Sequence, residues 1–134
     1  MVSLISFIIV LSILVIVHEF GHFIAAKRMG VRVEKFSIGF GPELAGITRA
    51  KTRYSVSLIP LGGYIKLAGE TSAEGIKGEK WEYFSRTVWE RAGIIFAGPL
   101  LNYILAFLIF SSVFMAGSPT LTSKIGKIMP GYPA

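Results

Sequence analysis

The stretch His18-Glu19-Phe20-Gly21-His22 has the form H-E-x-x-H. On a helix, residues four apart share a face, so both imidazoles reach one metal ion. Glu19 lies one step round, close enough to act on a water held by that ion. The cation lowers the pKa of such a water from about 16 to about 7, and the glutamate takes its proton as general base. The product attacks a peptide carbonyl. Two imidazoles with oxygen ligands and no thiolate suit zinc in a catalytic site. The chain has no cysteine, and His18 and His22 are its two histidines. The plainer reading is a pair of histidines hydrogen-bonded inside a helix bundle. It is weakened by the cost of placing histidine and glutamate in an apolar span, which by default marks function.

That motif needs a helix to carry it. Residues 1–17 contain no charge, and the apolar run resumes after the motif until Lys27-Arg28. A helix from Ser3 to Ala26 rises about 36 Å, enough for a bilayer core of about 30 Å. A cleaved signal peptide would need a basic start and a shorter apolar core, and this run has neither feature. The metal site then lies about 6 Å of helix inside the Lys27 end. A second charge-free run, Ala92 to Gly117, is also long enough to span. Trp81, Tyr83, Phe84 and Trp89 precede it, as aromatics do at a membrane interface. Apolar residues make up 52% of the 134 and charged residues only 16%, well below the share of about 25% in soluble domains.

The chain divides into residues 1–26, the first transmembrane helix with the motif; 27–91, a β-rich loop region; 92–117, the second transmembrane helix; and 118–134, a tail. Twelve of the fourteen basic residues lie in the loop region, the other two being Lys124 and Lys127. The excess of Lys and Arg puts the loop on the cytoplasmic side and the C-terminal tail outside. A net charge of +6 therefore points to anionic lipid headgroups and the bilayer as partner, not to nucleic acid. Within the loop, Tyr54-Ser55-Val56-Ser57-Leu58 alternates with period two and predicts a half-buried strand. Val31 to Phe36 is a weaker strand, Leu61-Gly62-Gly63-Tyr64 a turn, and Tyr64 to Leu67 a further strand. Glu70 to Lys80 predicts an exposed loop. The expected fold is an α-helical membrane protein: two transmembrane helices around a small membrane-associated β-sheet.

Several blocks together resemble the site-2 protease family of intramembrane zinc metalloproteases. They are the H-E-F-G-H signature in the first helix, Phe36-Ser37-Ile38-Gly39-Phe40-Gly41-Pro42, Ile59-Pro60-Leu61-Gly62-Gly63-Tyr64-Ile65-Lys66, and Ala97-Gly98-Pro99-Leu100-Leu101-Asn102 in the second helix. The tail from Ile125 to Ala134 is similar to the opening of the PDZ domain of bacterial members. The resemblance implies that His18 and His22 ligate Zn2+ and that Glu19 is the catalytic base, then proton donor to the leaving amine. It implies that Gly39, Phe40 and Gly41 form a re-entrant β-loop beside the active site, where an unwound substrate is held by strand addition. Asn102 is expected to make an interhelical hydrogen bond, and Gly98-Pro99 to ease a kink. Family members take a third ligand, an aspartate, from a later helix. This chain contains none: its eight acidic residues are all glutamates. An N-terminal portion of a longer protein accounts for that.

The implied function is regulated intramembrane proteolysis in the bacterial inner membrane. The enzyme hydrolyses a peptide bond in or near the transmembrane segment of a single-span substrate such as an anti-sigma factor. The alternatives are a catalytically inactive metal-binding scaffold or regulator, and an inactive fragment of the protease.

Overall fold

The computed structural model describes residues 2–71 and 77–117. The expected start of a PDZ-like domain at 118–134 lies outside the described residues. The elements run α1 (Val2–Arg28), β1 (Val33–Arg49), β2 (Thr52–Leu67), a 3-10 turn (Tyr83–Ser85) and α2 (Val88–Met115). Both helices are long and apolar enough to cross a membrane, and little of either is buried within the molecule. A helix apolar on all sides needs a surrounding apolar phase or a core. Here most of the large side chains on both helices, such as Phe7, Ile9, Phe107 and Phe114, stay exposed.

The second helix begins four residues earlier than its apolar run. Thr87 and Glu90 form a capping box: Thr87 Oγ1 accepts from the Glu90 N–H at 3.3 Å, and the Glu90 carboxylate accepts from the Thr87 N–H at 2.9 Å. This reciprocal pair satisfies first-turn donors that would otherwise be orphaned. Glu90 and Arg91 therefore belong to the helix and not to the loop before it.

The helices are antiparallel neighbours, with Met29 against Gly93 at one end and His18 beside Asn102 further along. They approach closely because side chains are missing where they cross. A Cβ on Gly21 would fall on the Ala97 carbonyl.

Between them β1 and β2 form a two-stranded antiparallel sheet. Arg49 and Thr52 pair across a turn in which Ala50 and Lys51 take φ of 48° and 67°, the arrangement of a two-residue hairpin turn that matches strand twist. The register is nested. Phe36 faces both Ile65 and Tyr54, and Ile38 faces both Gly63 and Val56. Residues 35–38 thus lie between two stretches of β2, and each strand bends back on itself. Gly39, Gly41 and Gly62 supply positive φ values of 86°, 85° and 89° at those bends. Leu61 to Tyr64, expected as a turn, is instead inside β2: Gly62 turns the strand without ending its pairing. The stretch from Glu43 to Arg49 is strand as well, paired with 52–57. On it Glu43 accepts from Arg53 and pairs with Lys35 at 3.5 Å. The Arg53 hydrogen bond holds its carboxyl below the usual carboxylate range.

The core is small and sits at one end. Ala25, Ala26, Val31, Val33, Leu67 and Ile94 are buried together. They join the basic end of α1, the base of the sheet and the start of α2. Lys27 closes this end: its Nζ donates to Thr52 Oγ1 at 2.8 Å, and that hydroxyl donates to the Val33 carbonyl at 2.8 Å. Higher on α1, Phe20 and Phe23 meet Phe36, and Phe23 also meets Tyr54. Higher still, the β2 bend leans on α1. The Ser12 hydroxyl lies 2.8 Å from the Pro60 carbonyl, and a Cβ on Gly62 would meet Val15.

Candidate active site

The helical spacing brings His18 and His22 together. Their rings are edge to face with centroids 4.7 Å apart. Each ring has one nitrogen turned to α2. His22 Nδ1 donates to the Ile94 carbonyl at 2.7 Å. A carbonyl only accepts, so this bond sets the proton on Nδ1 and leaves Nε2 as a bare lone pair. His18 Nδ1 lies 3.4 Å from the Asn102 side-chain amide. The expected interhelical bond of Asn102 is thus made to an imidazole of the motif.

The two Nε2 atoms point to one place, beside Gly98. A Cβ built on that glycine would stand 2.5 Å from His22 Nε2 and 2.9 Å from His18 Nε2. Only glycine leaves this space open. Two imidazole nitrogens facing one space, the His22 one with its tautomer fixed by a carbonyl, suit a divalent zinc-type cation. The donor set present is two nitrogens. Among the described residues no group of three or more His, Cys, Asp or Glu side chains is gathered for a metal.

Glu19 points to the sheet side. Its carboxylate accepts from the Ile65 backbone N–H of β2. The sheet therefore orients the candidate base while α2 orients the candidate ligands. Phe20 and Phe23, on either side of His22 in sequence, fix that division through their contacts with Phe36.

Gly39, Phe40 and Gly41 are placed differently. They sit at the β1 bend, where Gly39 packs on the Ser57 and Ile59 carbonyls and Phe40 stacks on Tyr64 at 6.1 Å. These contacts are to β2. The Pro60 bend touches α1 at Ser12, six residues from His18 and so about 9 Å further from the basic end.

Sequence reasoning missed the Ile94 carbonyl, the Ile65 N–H and the space at Gly98. The first two are backbone groups, which carry no residue signature. Gly98 is expected from sequence to ease a kink with Pro99. Proline does leave the Ile95 carbonyl without its helical donor, but the glycine answers to the imidazoles.

Comparison with known proteins gives the family. The model of peptidase family M50 matches residues 6–130. The chain is 48% identical over 131 residues to the regulator of sigma-E protease RseP of Salmonella typhimurium, covering 96% of this chain and 29% of that one. It is 45% identical over 128 residues to the protein of the same name in Escherichia coli K12, covering 94% and 28%. A Vibrio cholerae relative whose name includes the words zinc metalloprotease is 44% identical over 130 residues, covering 96% and 29%. The chain thus spans only 28–29% of the length of these relatives. With that match running through the helix of His18, Glu19 and His22 and on through the glycine that faces them, the chain belongs to peptidase family M50, the site-2 proteases.

Proposed function

We propose that this chain carries the base and two ligands of an intramembrane zinc-dependent endopeptidase. The convergence of His18 Nε2 and His22 Nε2 on the space left by Gly98 carries the reading. His18 and His22 would hold zinc there, and the ion would supply Lewis acidity to the attacking water. Glu19, oriented by the Ile65 N–H, takes the proton of that water as the oxygen adds to the carbonyl carbon. It then returns the proton to the amine as the C–N bond breaks. The family's third ligand is an aspartate, and these 134 residues contain none. We assign that ligand, and with it the complete activity, to a longer protein.

A membrane setting follows from the family and from two spans whose apolar surfaces are left exposed by the rest of the molecule. The basic loop region faces the cytoplasm of a bacterial inner membrane, and the far end of α2 faces the outer side. The contact between Ser12 and Pro60 supports a re-entrant role for the sheet, since it puts the β2 bend deeper along α1 than the histidines. Gly39, Phe40 and Gly41 stand on the partner bend and line up an extended substrate by strand addition. The substrate is a single-span membrane protein. The relatives' name, regulator of sigma-E protease, favours an anti-sigma factor.

Glu19→Gln tests the assignment. The variant of the full protease keeps one zinc, by elemental analysis, and loses cleavage of a single-span reporter. Retained cleavage would sink the role given to Glu19.

A further inference from the structure

His22 has an acceptor for its Nδ1 proton, the Ile94 carbonyl. The group opposite His18 Nδ1 is the Asn102 amide, whose nitrogen end is the nearer one at 3.4 Å. Its oxygen end, Oδ1, is buried with no hydrogen-bond partner among the described residues. An amide NH2 only donates. In that orientation His18 Nδ1 has to accept, so the ring proton sits on Nε2, the nitrogen that faces Gly98 and His22. A donor, and no lone pair, would then face the shared space from the His18 side.

A half-turn of the amide about its terminal bond exchanges its two ends within nearly the same volume. Oδ1 then meets Nδ1 and accepts its proton. His18 Nε2 is released as a lone pair, matching His22 Nε2. We infer that Asn102 is a positioning residue for the metal ligand His18, acting through its side-chain oxygen to fix the Nδ1–H tautomer. The inference rests on the ligand roles proposed above for His18 and His22. It gives α2 a paired function: one acceptor for each imidazole, a backbone carbonyl at 94 and an amide oxygen at 102. Gly98, midway between them, leaves the space both rings look into. Acceptors of this kind raise ligand basicity and hold ring orientation, and losing one lowers metal affinity about 10–100-fold.

The test uses the detergent-purified protein, Asn102→Leu and Asn102→Asp, with two readouts. One is zinc affinity by competition with a chelator. The other is the nitrogen-15 spectrum of histidine-labelled, metal-free protein at alkaline pH, with His22→Ala to assign the signals. Asn102→Leu keeps the volume and removes the acceptor; zinc affinity is expected to fall about 10–100-fold, with the His18 proton no longer confined to Nδ1. Asn102→Asp has only acceptor oxygens and is expected to keep most of the affinity. A donor role for Asn102 predicts the reverse, with the aspartate variant failing like the leucine. A His18 proton on Nε2 in the parent protein, or undiminished affinity in Asn102→Leu, overturns the inference. If the parent binds no zinc, the ligand assignment fails by itself, and the metal-free spectrum still decides which end of Asn102 faces His18.

Discussion

The two halves of α1 are both largely apolar and live in different surroundings. From Leu4 to Ile13 the helix leaves most of its large side chains exposed, Leu4 at 64% and Phe7 at 62%. From Gly21 to Ala26 it presses on α2 and the sheet, and Ala26 is fully buried. The motif lies where one condition gives way to the other. Hydrophobicity therefore does two jobs along one helix. In the first half large side chains face outward. In the second, small residues let backbones come close, as helices pack where lipid offers no hydrophobic drive. His22 and His18 take their orientation from α2, through the Ile94 carbonyl and the Asn102 amide.

The largest effect is expected at Gly98. Gly98→Ala places a methyl against both Nε2 atoms, and zinc per chain should drop to background by elemental analysis. Full zinc content in that variant would break the claim that the rings converge there.

Ile94→Ala sharpens the comparison by separating packing from ligation. The side chain is 2% exposed in the small core, so its truncation should cost about 2–5 kcal/mol, read from denaturant unfolding in mild detergent. The carbonyl that accepts from His22 remains, so zinc content should be unchanged. Loss of both together would mean that the core and the site are one unit.

The smallest effect belongs to the exposed half. Phe7→Ala removes a large side chain that touches little within the molecule, and unfolding should shift by no more than about 0.5 kcal/mol. A loss of the size predicted for Ile94→Ala would show that this half also packs internally.

The helices were legible because each charge-free run is long and apolar enough to cross a membrane. Their ends were less so. α2 starts at Val88 because Thr87 and Glu90 cap it, a T-x-x-E signal masked by the charges of Glu90 and Arg91, which read as loop. The alternation of Tyr54 to Leu58 marked a strand correctly. The nested register was hidden, since Phe36 pairs with residues 18 and 29 positions away, and Gly62-Gly63 looks like a turn in any local window. In the site, residue types announced the imidazoles and the carboxylate. Their supports are a carbonyl, an amide N–H and an absent side chain, none of which alters the local pattern of letters. Asn102 was visible as a polar residue in an apolar run, but not its partner.

The Ile94 carbonyl has a consequence for inheritance. All twenty amino acids bring a carbonyl to the chain, so no single codon change at 94 deletes the group that accepts from His22. Variants there alter the fit of a small core while the imidazole keeps its orientation, provided the helix keeps its path. Drift at this position is therefore buffered for ligation and unbuffered for folding, and a library randomised at 94 should lose expression long before it loses metal.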